Sequence, residues 1–264
     1  MVVSPPQDCF LDGLTLVIAS RNEEASLESV LKEWWGQRPE GIPYELLVVD
    51  DASVDSTPEI LERLKSEIPM RVIRNPRPQG FGGSLRVGAR HAATGWVAFT
   101  DADAQYDPND LPKLLEALRA GTDLAIGWRT PRADPFVRVA ISIGFRGLLY
   151  SFFSLRSRDP TTSLKAGRAE SVRAVAESVQ YMNGSFWNEF MIRWIRSGRS
   201  FTEVPIHHYP RREGRSKVAA RGLIMRVSIQ QLIALLKVWR EFHRLGPVRR
   251  AKLPSTSPSS EPER

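Results

Sequence analysis

A single cysteine, Cys9, stands in the whole 264-residue chain. A lone thiol excludes a disulfide framework and a cysteine-held zinc site, and it fits a reducing compartment. Histidine is almost as scarce. None of His91, His207, His208 and His243 has metal-ligand spacing with a carboxylate, and His207 and His208, which follow a strand, read as structural. The N-terminus lacks the basic-then-apolar pattern of a signal peptide. No apolar segment approaches the about 20 residues that a bilayer crossing takes; residues 139–155 and 227–236 are interrupted or too short. The chain is therefore expected not to cross a membrane by itself. There is no internal repeat. Zinc-finger spacing, a basic helix-turn-helix face and an aromatic RNA platform are all missing, so no nucleic-acid partner is expected.

The hydrophobic fraction of 42% is enough for a sizeable core. A net charge of +7 asks for an anionic partner: on that number alone nucleic acid, anionic lipid or a phosphorylated substrate. Short apolar runs at Leu14–Ile18, Leu46–Val49, Arg71–Ile73, Trp96–Thr100 and Leu124–Ile126 read as strands. Between them lie helical stretches: from Asn22 to about Trp35, from Thr57 (as N-cap, with Pro58 behind it), over Gly82–His91, and over Pro108–Leu118. Such alternation predicts an α/β fold with a mainly parallel twisted sheet flanked by helices. In such sheets ligands bind beyond the carboxyl ends of the strands, where both Asp51 and Asp101 fall. After residue 130 the pattern changes. Residues 137–155 are apolar with arginines spaced through them. A later strand, Phe201–Ile206, leads into a basic segment from Arg211 to Lys217. Helix Leu223–Phe242 is amphipathic, with Met225, Ile229, Leu232, Leu236 and Trp239 on one face and Arg226, Gln230, Lys237, Arg240 and Arg244 on another.

The most informative residues are Asp101-Ala102-Asp103-Ala104-Gln105 at the end of the fourth strand. Two carboxylates there are costly to desolvate unless something neutralises them. A hard divalent cation, Mg²⁺ or Mn²⁺, suits Asp-x-Asp with a nearby amide oxygen and keeps open positions that phosphate oxygens commonly fill. A solvated turn is the competing reading of these five residues alone. Gly80-Phe81-Gly82-Gly83 is not a dinucleotide fingerprint, because it follows the third strand rather than the first.

An ordered series of segments runs along residues 14–217. It comprises Ile18-Ala19-Ser20-Arg21-Asn22-Glu23-Glu24, Val48–Thr57, Asn75 with Gly80–Gly83, and Asp101–Gln105. Then come Ile126-Gly127-Trp128-Arg129, Asp159–Lys165, Phe186-Trp187-Asn188-Glu189, and Glu203-Val204-Pro205-Ile206 before Arg211, Gly214, Ser216 and Lys217. Together they resemble the family 2 glycosyltransferases of the GT-A fold, most closely the dolichyl-phosphate mannose synthase-like, polyprenyl-phosphate branch.

The resemblance implies a nucleotide-sugar site at Ala19, Arg21, Glu23, Val49, Asp51, Asp101, Ala102 and Asp103, completed by Arg211 and Lys217 over the phosphates. It implies that Asp101, Asp103 and Gln105 hold Mg²⁺ or Mn²⁺, and that Arg129 contacts phosphate at the active site; bidentate geometry makes Arg129, with Arg146 or Arg138, the sensible contacts for the acceptor phosphate. The resemblance places Asp159 and Lys165 where the family has an acidic and a basic residue around a Ser-Gly pair, and Glu189 where it has a helix-borne carboxylate near the sugar, with a structural salt bridge as the equal alternative for Asp159 and Glu189. The family usually has proline and tyrosine where this chain has Ala19 and Arg21, and Ser-Gly where it has Thr162-Ser163. An arginine plane can still stack on a base, which leaves guanine and uracil both open.

The reaction this implies is inverting, metal-dependent transfer of a sugar, mannose or glucose, from a nucleotide sugar such as GDP-mannose to dolichyl or undecaprenyl phosphate. The alternatives are a non-lipid hydroxyl acceptor, which would need a base such as Asp159, or a catalytically weak, membrane-associated nucleotide-binding scaffold. The expected organisation is a loose lead-in over 1–12, a GT-A domain over 13–218 containing an interfacial helix at 137–156, an amphipathic membrane-surface helix over 219–246, and a disordered tail over 247–264. The expected location is peripheral, on the cytoplasmic face of an anionic membrane, with a homodimer or a separate membrane-anchoring subunit left open.

Overall fold

The computed structural model describes residues 10–131, 136–210 and 221–244. The expected lead-in falls largely outside these residues, and the expected tail entirely so. Seven strands form one sheet, in the order β3-β2-β1-β4-β6-β5-β7. They are β1 (Phe10–Ser20), β2 (Tyr44–Asp50), β3 (Met70–Arg74), β4 (Thr94–Asp101), β5 (Leu124–Arg129), β6 (Lys165–Arg168) and β7 (Thr202–Ile206). All neighbours pair in parallel except β6, which runs antiparallel to both β4 and β5.

Period-2 alternation along the central strands supplies two cores. Leu14, Leu16 and Ile18 point to one face with Leu46, Val48 and Ala98. That face is covered by α1 (Leu27–Gly36), α2 (Thr57–Leu64) and α4 (Leu111–Arg119) through Leu31, Leu61 and Leu115. Val17, Val49 and Phe99 point the other way, beneath α3 (Phe81–His91), α6 (Ala169–Ser178) and α7 (Phe186–Arg196). Both faces of the sheet are therefore covered, as a parallel sheet requires. Each fully buried aliphatic side chain contributes about 1.5–3 kcal/mol. The last two helices, α5 (Phe136–Phe153) and α8 (Arg221–Arg244), meet edge to face through Phe152 with Trp239 and Phe153 with Phe242. Among the described residues no helix is long and apolar enough to cross a membrane.

Three local expectations need correction. The first helix begins at Leu27, not Asn22: Asn22 adopts a φ of 52°, and its side chain accepts the Val54 N–H. Thr57 is the first residue of α2 rather than its cap, and its hydroxyl accepts the Glu23 N–H across the loop. Helix α8 is apolar on two sides. Ala234, Leu235, Val238 and Phe242 pack inward, while Ile229, Leu232, Ile233 and Leu236 stay exposed. Trp239 leans on Phe152 and His243 instead of joining the exposed row.

Helix α3 lies close against β1, because a Cβ on Gly88 would stand 2.2 Å from Val17 Cγ1. Gly88→Ala should therefore lower the unfolding free energy by about 1–3 kcal/mol. Gly36→Ala, where a Cβ would meet nothing within 4 Å, should leave it unchanged or raise it by roughly 0.4–1 kcal/mol. Urea denaturation of both variants checks the pair.

Candidate active site

Parallel pairing brings β1, β2, β4 and β5 to a common rim at their carboxyl ends. Ala19 is in register with Val49 on one side and with Asp101 on the other, so three of the expected site positions form one row. Above that row two loops are stitched together. The Asn22 N–H donates to Ser53 Oγ (2.9 Å), and the Ser56 N–H donates to Glu24 Oε2 (2.9 Å). Arg21 and Glu23 stand on this loop, Arg21 exposed and Glu23 half-buried.

Asp51 is buried and organises the entry to α3. Its Oδ1 accepts from Asn75 Nδ2 (2.8 Å) and the Gln79 N–H (2.7 Å), and its Oδ2 accepts from the Gly80 N–H (2.8 Å). Gly80 has a φ of 75°, in the left-handed region that favours glycine. Oδ2, with one protein donor, keeps acceptor capacity for a ligand N–H.

Asp101 ends β4, and the chain then turns sharply at Ala104, whose φ is 57°. Asp103 Oδ1 accepts the Gln105 N–H at 3.3 Å. Burial, and next the charge of Asp103, push the Asp101 carboxyl up to about 7, while the hydroxyl of Ser163 and the cations Arg129 and Lys165 pull the other way. A carboxylate penalised first by desolvation and next by a neighbouring carboxylate fits a divalent cation, which would take the place of the proton. Among the described residues no set of three or more His, Cys, Asp or Glu side chains gathers as a metal cage. Two carboxylates would leave most positions of a six-coordinate ion to other oxygens. Gln105 has a structural task as well: its Nε2 donates to the Tyr209 carbonyl (3.0 Å), and its own carbonyl accepts the Tyr209 N–H (2.9 Å). Gln105 thus anchors the chain just ahead of Arg211 and Lys217, which lie outside the described residues.

Arg129 ends β5 and forms a two-point pair with Asp159, Nε to Oδ2 at 2.6 Å and Nη2 to Oδ1 at 2.9 Å, with Thr161 Oγ1 a further acceptor at 3.1 Å. Asp159 is buried, and its segment is held from behind by Glu203, whose Oε1 accepts from Ser157 Oγ and from the N–H groups of Arg158 and Asp159. Arg146 Nη1 donates to the Arg158 carbonyl, and the Arg158 guanidinium lies over the Trp128 ring at 4.3 Å. Glu189 is fully buried and takes four donors: the N–H groups of Gln180, Tyr181 and Met182 and Nε of Arg193. Arg193 also pairs with Glu241 of α8 (2.9 Å). The donors to Glu189 thus come from the α6–α7 connection and from α7 itself.

Two residues carry more of this site than their sequence signal suggests. Tyr106 is buried with its hydroxyl on the Ser163 N–H (3.0 Å) and Thr162 Oγ1 (3.4 Å). Lys165 is wholly buried, and burial brings its ammonium down to about 7. Tyr106 follows the carboxylate motif directly, and that adjacency was the available clue.

Residues 15–175 match the family model described as glycosyl transferase family 2. The chain is 30% identical over 219 residues to the dolichol-phosphate mannosyltransferase of Pyrococcus furiosus, a match covering 80% of this chain and 60% of that protein's length. It is 32% identical over 213 residues to the undecaprenyl-phosphate mannosyltransferase of Micrococcus luteus, covering 77% of this chain and 86% of the relative. Among solved structures it resembles glucosyl-3-phosphoglycerate synthase from Mycobacterium tuberculosis, crystallised with Mn²⁺, UDP and phosphoglyceric acid. That likeness has a TM-score of 0.68 and 20% identity, and covers 86% of this chain and 78% of the other. It speaks to the fold, which is GT-A.

The raised carboxyl of Asp101 makes a testable claim. A carboxyl that titrates near 7 in the folded chain and near its ordinary 3.8 when unfolded stabilises fully at low pH, and that contribution is lost as pH rises through 7. In EDTA, Asp101→Asn should melt together with the wild type near pH 4 and increasingly above it as pH climbs to 8. A melting-temperature difference that stays flat with pH would contradict the raised carboxyl of Asp101.

Proposed function

The chain belongs to glycosyl transferase family 2 and is a glycosyltransferase, and on that premise we propose that it moves a hexose, with inversion, from a nucleotide sugar to a polyprenyl phosphate. The observation that carries the acceptor class is the state of the two candidate bases. Asp159 is held in a two-point pair by Arg129, and Glu189 accepts four donors. Carboxylates whose oxygens are already taken up by donors are poorly placed to accept a proton from an acceptor hydroxyl. A hydroxyl acceptor needs such a base. A phosphomonoester does not, since with a second pKa near 6 it is largely dianionic at neutral pH. The names of the archaeal and bacterial relatives support the same reading.

In this reading Ala19, Arg21, Glu23, Val49 and Asp51 hold the nucleoside, Arg21 by stacking and Asp51 by its remaining acceptor capacity. Asp101 and Asp103, with the Gln105 amide oxygen, hold Mg²⁺ or Mn²⁺, which when bound neutralises charge building on the departing nucleoside diphosphate. The Ala102 backbone lies between these carboxylates, against the donor, and Arg211 and Lys217 close over the phosphates. Arg129 and Arg146 orient the acceptor phosphate by fork geometry, which positions an oxyanion without protonating it. Mannose is the sugar favoured by the relatives' names, and GDP-mannose the donor to try first.

The exposed rows on α5 and α8 support a peripheral membrane site. Ile143 and Tyr150 are exposed on one side of α5; on α8, Ile229 is 52% exposed and Leu236 46%, with Lys237, Arg240 and Arg244 alongside. Such a surface gains from shallow apolar insertion and from anionic lipid, at about 1 kcal/mol per basic residue.

Purified protein should transfer from GDP-mannose or a UDP-hexose to undecaprenyl or dolichyl phosphate with Mg²⁺ or Mn²⁺. EDTA should abolish transfer, and Asp103→Ala should lower kcat by about 1,000-fold or more, with near-native circular dichroism. Full turnover in excess EDTA would refute the metal role. Transfer to 3-phosphoglycerate but to no polyprenyl phosphate would refute the acceptor.

In a flotation assay the protein should bind anionic vesicles, release at high salt, and lose binding when Ile229, Leu232, Ile233 and Leu236 are all changed to Ser. A protein that stays unbound on anionic vesicles would remove the membrane claim.

A further inference from the structure

Lys165 opens β6 in register with Phe99 on one side and Ile126 on the other, a place where apolar side chains are the rule. None of its surface is exposed. Its ammonium donates to the carbonyls of Pro160 (3.1 Å) and Thr162 and lies 4.4 Å from the centroid of the Trp187 ring. Two carbonyls and an aromatic face thus stand where carboxylates would ordinarily compensate a buried cation. A methionine would fill this volume without the desolvation cost, so packing alone does not account for a lysine.

The turn that Lys165 grips accounts for it. Within it, Asp159 and Thr161 hold the Arg129 guanidinium. Ser163 gives its hydroxyl to Asp101 and its N–H to the Tyr106 hydroxyl. The two carbonyls capped by Lys165 alternate with these contact residues, so a shift of either carbonyl moves both the carboxylate and the guanidinium arms. We propose that Lys165 is a positioning residue for sugar transfer, fixing the 159–163 turn so that the Asp101–Asp103 carboxylates and the Arg129 guanidinium keep one mutual geometry. This rests on reading those groups as the metal-diphosphate and acceptor-phosphate sites. Lys165 acts through Asp159, Thr161 and Ser163 and touches no substrate itself. Trp187 closes the remaining side of the ammonium and keeps water from competing for it.

Lys165→Met tests the idea with two readouts besides stability. Its kcat should fall by about 100-fold, the loss expected when reacting groups are misplaced by about 1 Å. Its affinity for Mn²⁺, followed by electron paramagnetic resonance with GDP or UDP present, should fall as well. A variant with lowered melting temperature but wild-type Mn²⁺ affinity and kcat would make Lys165 a packing residue and overturn the proposal. Should Lys165→Met fail to fold, Thr161→Val and Ser163→Ala cut the two arms separately. Thr161→Val should raise the acceptor KM and spare Mn²⁺ affinity, and Ser163→Ala should do the reverse. Wild-type behaviour in both would overturn the proposal too. If the wild-type protein uses no polyprenyl phosphate, the acceptor reading fails by itself, and Mn²⁺ affinity in Ser163→Ala and Lys165→Met still decides the role of Lys165.

Discussion

Keeping a half-buried carboxylate at the carboxyl end of a central strand is the constraint around which this molecule is arranged. Asp101 is flanked by the apolar body of β4 below and the Asp103 charge beside it, and both raise its proton affinity. What opposes them comes from distant parts of the chain: the Ser163 hydroxyl, the Arg129 guanidinium and the Lys165 ammonium. Those groups must themselves be held, and the means are again buried and polar. Arg129 has Asp159, the segment around Asp159 has Glu203, and Lys165 has two carbonyls and an indole. A chain of partly compensated charges of this kind is costly to build, and every member loses if one is removed.

The parallel half of the sheet was legible because its strands are short apolar runs with turn residues behind them. For the same reason Asp51 and Asp101 could be assigned to one rim before any register was known. Other features leave no such trace. Strand β6 is the four residues Lys-Ala-Gly-Arg, whose lysine occupies a core position and hides the pattern. Helix α7 is buried on nearly every side, so it shows no clean polar face to mark its period. Glu189 and Asp159 look alike in sequence. Only the fold distinguishes a carboxylate braced by three nearby N–H groups from one matched by an arginine 30 residues away.

Helix α8 shows how one periodic signal can conceal two surfaces. Its inward row packs on α5 and α7, and the Glu241–Arg193–Glu189 relay ties it to the loop ahead of α7. Among the described residues nothing covers its second row. A helix that needed only to pack, or only to rest on a lipid surface, would carry one apolar stripe. Two stripes accommodate both the inward packing seen here and the lipid contact proposed above.

The antiparallel insertion of β6 has a metric consequence. Strands β4 and β5 end at the same rim but are second neighbours, so Asp101 and Arg129 are set apart by two strand spacings, about 10 Å. Because β6 runs the opposite way, it starts where its neighbours stop, and the turn feeding it rises into that interval. The sheet acts as a ruler with one tooth reversed. The hydrogen-bond spacing of the backbone fixes the width of the interval between anion and cation, and side chains from the incoming turn only trim it. Substitutions on the rim can therefore change the chemistry on either bank, while the backbone sets the coarse distance between the banks and the turn gripped by Lys165 its fine adjustment.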